Sequence, residues 1–242
     1  MADIEPPVFY GVGVGPGDPE LLTLKAYRII QQADVISYIA NDKGTSQARD
    51  IAIEALKDLR HETLEVPIVM SMCDDRILAN AIYDEAAKSL EKHLAQGRNV
   101  VFLCEGDPLF FASFAYLLQR IEKTYACHVV PGISSMHAAS SALCQPLALL
   151  KESLAVISGR HDDDTVRHAL VTYDTVVIMK AGRSRPRLLR LLQETGRSRD
   201  ARYLEYIGRN NEVIVRDVTT LSEQEGPYFS IFIVLRKARN ST

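Results

Sequence analysis

Val14-Gly-Pro-Gly-Asp-Pro-Glu-Leu-Leu-Thr-Leu-Lys-Ala26 (VGPGDPELLTLKA) joins a run that reads as a strand to one that reads as a helix. Upstream, Val8 to Val14 (VFYGVGV) is rich in strand formers and ends in glycines. A plain turn needs less than this loop contains. Pro16 and Pro19 stiffen the path, while glycines without a Cβ let the backbone come close to a ligand. The dinucleotide fingerprint is excluded, because after Gly11 and Gly13 the third glycine position holds Pro16. A Walker A loop is excluded too, since no Gly-Lys-Ser/Thr follows. Asp18 by itself reads as a cap for the next helix.

Outward from this loop, short apolar runs alternate with helical patterns. Ala33 to Ile39, Glu62 to Val66, Asn99 to Leu103 and Val129–Val130 read as further strands. Asn99 to Leu103 (NVVFL) is apolar after its first residue, as in a strand buried on both faces. From Asn80 to Gln96, Ile82, Ala86, Leu90 and Leu94 recur every four residues, and Gly97 is a stop signal. Such alternation implies crossovers and a mostly parallel sheet.

The rhythm then changes. Leu154 to Ser158, Thr175 to Met179, Ala201 to Leu204, Val213 to Val218 and Phe229 to Leu235 read as strands, and Pro186 to Glu194 as a helix. A short polar segment separates the last two strands, which suggests an antiparallel pair. The expectation is two α/β (αβα) domains, 1–130 with a mostly parallel sheet and 131–242 with a mixed one. Composition is that of a globular protein, with 47% hydrophobic and 24% charged residues. A net charge of -3 argues against a general nucleic-acid binder, and no apolar run is long enough to span a bilayer. Cys73, Cys104, Cys127 and Cys144 form no metal or disulfide pattern, and the N-terminus has no secretory character. A cytoplasmic protein with reduced thiols and no metal site is expected.

Ligands of open α/β sheets bind beyond the carboxyl ends of the strands, and three more loops there stand out. Cys104-Glu-Gly-Asp-Pro108 repeats the Gly-Asp-Pro grammar before a helix expected to carry Phe110, Phe111, Phe114 and Leu117. Asp107 could cap that helix or hold a ligand cation. Val130-Pro-Gly-Ile-Ser-Ser135 offers hydroxyls at a helix start, and Ile178-Met-Lys-Ala-Gly182 precedes Arg183, Arg185, Arg187 and Arg190. Cations sit badly at a helix N-terminus, so an anionic partner would offset their cost.

Taken in order, GVGPGDPELLTLKA, EGDPLFFASFAYL, VVPGISS, MKAGRSRP and EYIGRNNEVI resemble the tetrapyrrole (corrin/porphyrin) methylase family over essentially the whole chain. PLFFASFAYLLQRI, QARDIA and RPRLLRLLQETG are similar to its cobalamin-pathway members. Ile39 departs from the proline expected in many relatives. The resemblance implies two α/β domains with S-adenosylmethionine folded into the cleft between them, a tetrapyrrole acceptor and a homodimer. It implies a donor site of Pro16, Glu105, Gly106, Asp107, Phe110, Ser134, Ser135, Lys180, Ala181, Tyr206 and Ile207, with Pro227 and Tyr228 as weaker additions. The polycarboxylate acceptor calls for guanidinium groups, and the candidates are Arg49, Arg76, Arg160, His161, Arg183 and Arg185. No catalytic acid, base or nucleophile is assigned, because methyl transfer asks chiefly for alignment. The acceptor stays open between a metal-free precorrin, its cobalt form and a uroporphyrinogen.

Overall fold

The computed structural model describes residues 6–70 and 76–235. Its chain contacts divide into two compact units, Met1–Ser134 and Ser135–Thr242.

The first unit holds five parallel strands: β1 (Val8–Gly13), β2 (Val35–Ala40), β3 (Leu64–Val69), β4 (Val100–Cys104) and β5 (Ala126–Val130). Their order is β3-β2-β4-β1-β5. NVVFL runs through the middle of the sheet as expected. Alternate residues of β4 face opposite layers: Val101 and Leu103 pack with α1 (Leu24–Gln31), α2 (Gln47–Ile51) and α3 (Ile53–Lys57). Val100, Phe102 and Cys104 pack with α4 (Arg76–Leu94) and α5 (Phe114–Ile121). α4 therefore starts four residues before the periodic stretch suggested. The expected strand at Glu62 to Val66 is displaced to Leu64–Val69 and takes in Pro67, which an edge strand accommodates. Asp18 caps a single turn at Pro19–Leu21 by accepting from Glu20 N at 2.9 Å, while α1 is capped by Thr23. Cys104 is buried, Cys127 half-buried and Cys144 exposed, all as free thiols; Cys73 lies outside the described residues.

α2 is clipped to the sheet by a three-residue cluster. Arg49 donates to both Glu65 oxygens at 2.7 and 2.8 Å, and Tyr38 donates its hydroxyl to Glu65 at 2.6 Å. The Arg49 hydrogen bond holds the Glu65 carboxyl below its ordinary range. Burial, then the Glu65 contact, pushes the Tyr38 phenol from 10.0 up to about 12. The signs are opposite. Stability from Glu65 is present above the ordinary carboxyl range and lost as pH falls through its depressed value. Stability from Tyr38 is full below pH 10.0 and lost as pH rises through about 12. Urea titrations across pH should show Glu65→Gln flattening the acid limb and Tyr38→Phe the alkaline limb.

The second unit holds β6 (Leu154–Ser158), β7 (Thr175–Met179), β8 (Ala201–Glu205), β9 (Val213–Val215) and β10 (Ser230–Val234) in the order β6-β7-β10-β8-β9. α7 (Asp163–Thr172) and α8 (Arg185–Glu194) cover one face. α6 (Ser135–Leu143) covers the other. β6 and β7 match their expected bounds. The expected pairing of the last two strands is wrong: β8 lies between them and is antiparallel to both. β9 closes back on β8 across the Arg209–Glu212 turn. The chain then crosses to insert β10 against β7. Among the described residues, no helix is long and apolar enough to cross a membrane.

Candidate active site

Three neighbouring strands of the first sheet, β4, β1 and β5, end level with one another, Gly13 opposite Cys104 and Val12 opposite Val130. Their loops are consequently side by side, and they are bonded together. Val14 N donates to Cys104 O at 2.8 Å, and Gly106 N donates to Gly15 O at 2.8 Å. Asp107 accepts from Leu109 N at 2.9 Å and from Gly132 N at 3.2 Å. This aspartate caps no helix: it turns its own loop and ties it to the PGIS loop. α5 begins only at Phe114, so Phe110 and Phe111 lie in the turn before it, with Phe111 at φ 55° and their rings 5.0 Å apart.

Backbone contact in this cluster leaves no room for a methyl group. A Cβ on Gly132 would stand 2.0 Å from Gly106 O, and one on Gly13 would stand 2.5 Å from the same oxygen. Pro16 is buried beside them, Glu105 and Gly106 are half-buried, and Ser134 is buried with its Oγ lacking a hydrogen-bond partner. Ser135 opens α6.

In the second sheet, β6, β7 and β8 end on the side where β10 begins, since β10 is antiparallel to β7 and β8. Four segments therefore gather there. Lys180 at φ 55° and Tyr206 at φ 51° are non-glycine residues in the left-handed region, a cost that concentrates at functional positions. Ala181 N donates to Ser230 O at 3.3 Å, Tyr206 N to Phe229 O at 2.9 Å and Gly226 N to Gly182 O at 2.9 Å. A Cβ on Gly182 would meet Pro227 O at 1.9 Å. Ala181 and Ile207 have core side chains, so their backbones are what these turns can present. Pro227 and Tyr228 are half-buried, and Tyr228 lies edge-on to Phe229 with ring centroids 5.1 Å apart. Arg209 covers Phe229 at 4.2 Å. Neither Arg209, inside the EYIGRNNEVI motif, nor Phe229, at the start of the last expected strand, is a site candidate from the sequence.

The candidate cations have different surroundings. Arg160, His161 and Arg183 are exposed on the turns after β6 and β7. Arg76, the first residue of α4, donates to Tyr116 OH at 3.2 Å and lies over its ring. Arg49 is engaged by Glu65, as described above. Arg185 is 9% exposed and binds the Gln224 and Glu225 carbonyls. The dipole objection to arginines at this helix start is answered inside the unit, where Asp163 takes both Arg187 and Arg190 at 2.7 Å.

Two α/β units with glycine-built loops at adjoining strand ends have a known counterpart. A family model of the tetrapyrrole (corrin/porphyrin) methylases matches residues 8–223, and the chain belongs to that family. Its relatives include the precorrin-2 C(20)-methyltransferase of Sinorhizobium sp, 34% identical over 93% of each chain. The cobalt-precorrin-2 C(20)-methyltransferase of Salmonella typhimurium is 30% identical over 93% of this chain and 94% of its own. The solved structure of a cobalt precorrin-4 methyltransferase shares the fold, with TM-score 0.73 and 17% identity over 97% of each chain. So does the uroporphyrin-III C-methyl transferase of Thermus thermophilus complexed with S-adenosyl homocysteine, with TM-score 0.65 and 23% identity over 94% of this chain and 96% of that one.

Proposed function

We propose that this protein transfers a methyl group from S-adenosylmethionine to carbon 20 of precorrin-2 or cobalt-precorrin-2. The observation that carries the reading is the end-to-end similarity to two methyltransferases of that position, at 34% and 30% identity. When bound, the donor supplies an electrophilic methyl on a sulfonium.

The chain's own residues fit such a ligand. Ser134 has a buried hydroxyl without a partner, and the Gly13 and Gly132 backbones pack so closely on Gly106 O that a Cβ on either would force these loops apart. In this reading Pro16, Glu105, Gly106, Asp107, Phe110, Ser134 and Ser135 bind one part of the donor. Lys180, Ala181, Tyr206, Ile207, Pro227 and Tyr228 bind another. Their task is to orient and to exclude water, which can supply much of the acceleration of a displacement. Rigid backbone suits that task better than mobile side chains.

Acceptor carboxylates are assigned to Arg160, His161 and Arg183, with Arg76 as an outlying candidate. Arg183→Ala should raise the tetrapyrrole KM about tenfold, the worth of one charge-assisted contact, while leaving the donor KM near its wild-type value. Equal rises in both would remove Arg183 from the acceptor site. A cytoplasmic homodimer belongs to the reading through the family alone, and sedimentation at micromolar concentration checks the dimer. The reading as a whole is tested by turnover with labelled donor on precorrin-2, cobalt-precorrin-2 and uroporphyrinogen III. Labelling of the third alone would replace it with a uroporphyrinogen methyltransferase.

A further inference from the structure

Arg185 stands at the first turn of α8, yet its guanidinium points into the unit. Nε donates to Gln224 O at 2.6 Å, Nη2 donates to Glu225 O at 3.2 Å, and Nη1 meets Glu205 Oε1 at 3.4 Å. The pair is shielded, with side chains 11% and 16% exposed. Its cation also lies over the Tyr203 ring at 5.5 Å.

These contacts join three segments. Arg185 N bonds back to Gly182 O at 3.1 Å, in the turn that carries Lys180 and Ala181. Glu205 directly precedes Tyr206 at the end of β8. Gln224 and Glu225 lead into Gly226, Pro227 and Tyr228. Residues 222–225 are otherwise exposed, so this stretch depends on few attachments. The planar fork of arginine can hold two carbonyls and a carboxylate at once, whereas a lysine ammonium is a single point.

We propose that Arg185 is a positioning residue for the methyl donor: it fixes the Gln224–Tyr228 segment against the Lys180 and Tyr206 turns. It does not bind tetrapyrrole carboxylates. The inference rests on the donor site proposed above. Gly226 N to Gly182 O and Ser230 Oγ to Pro227 O, both at 2.9 Å, hold the far side of this segment. Loss of the fork releases its Gln224–Glu225 side, and small shifts at a binding site are costly.

The test compares wild type, Arg185→Lys, Arg185→Gln and Glu205→Gln. Titration with S-adenosylhomocysteine gives donor-site affinity, and steady-state kinetics with precorrin-2 give the two KM values. Arg185→Gln should weaken S-adenosylhomocysteine about tenfold or more, with Arg185→Lys and Glu205→Gln intermediate. The tetrapyrrole KM should stay within about twofold of wild type, because a positioning defect in the donor site leaves acceptor contacts intact. In contrast, kcat at saturating donor should fall, since saturation restores occupancy but not the alignment of the methyl group. If Arg185→Gln does not fold, the two milder variants carry the same comparison. A raised tetrapyrrole KM with unchanged S-adenosylhomocysteine affinity overturns the proposal. So does a lowered unfolding midpoint with both affinities unchanged. Failure of wild type to bind S-adenosylhomocysteine is a different result, and it removes the donor reading itself.

Discussion

Gly132→Ala is expected to lose donor binding, with S-adenosylhomocysteine affinity falling by about 100-fold or more, as follows from an ångström-scale misplacement at a binding site. The new methyl would lie 2.0 Å from Gly106 O and 2.8 Å from Gly13 Cα. Both are backbone atoms, so neither can rotate aside. Gly13 and Gly106 belong to loops that are themselves bonded, through Gly106 N to Gly15 O and Val14 N to Cys104 O. Relief therefore requires the PGIS loop to move away, which breaks the Asp107 contact to Gly132 N. Overpacking of this kind also lowers stability, by about 1–3 kcal/mol. Gly97→Ala provides the contrast. It sits at φ 78° with no atom within 4 Å of its Cβ, so it should cost stability through backbone strain but leave donor affinity intact. Calorimetric titration of both variants checks the pair, and unchanged affinity in Gly132→Ala would contradict the donor-binding role given to these close-packed loops.

The largest stability loss is expected from Arg197→Ala. Arg197 pairs with the buried Asp200 at 2.9 Å. It also donates to the carbonyls of Leu170, Tyr173, Asp174 and Leu235. From the turn after α8, one guanidinium thus ties together the end of α7, the turn before β7 and the residue that follows β10. Removing it leaves a buried carboxylate and several carbonyls without their donor. Breaking one side of a buried pair costs about 3–5 kcal/mol. Urea unfolding should register a loss of that order, while Arg199→Ala, exposed two residues away, should change little. A loss below 1 kcal/mol for Arg197→Ala, less than one ordinary hydrogen bond contributes, would show that the carbonyls find other donors.

Arg197 and Arg185 also mark the boundary of what the sequence discloses. NVVFL announces a central strand because its apolar residues are continuous, and β6 and β7 announce themselves the same way. The pairing of β8 between β9 and β10 does not, since it depends on contacts between segments far apart in the chain. Phe110 looks helical by composition, but a left-handed Phe111 delays α5 to Phe114, and no residue type signals that. The glycine-rich strand-end loops are legible because their composition is unusual. Which arginine faces solvent is not legible: Arg183 is exposed, and Arg185 is buried because Glu205, Tyr203 and, some forty residues later, Gln224 and Glu225 return to it.

The central claim concerns the acceptor carbon. Incubation of the purified protein with precorrin-2 and carbon-13 methyl-labelled S-adenosylmethionine, followed by NMR of the product, locates the transferred group directly. With precorrin-2 and, in a parallel incubation, cobalt-precorrin-2, the account predicts one enriched methyl, attached to carbon 20, in at least one of the two; an enriched methyl on any other ring carbon, or no incorporation into either, would contradict it.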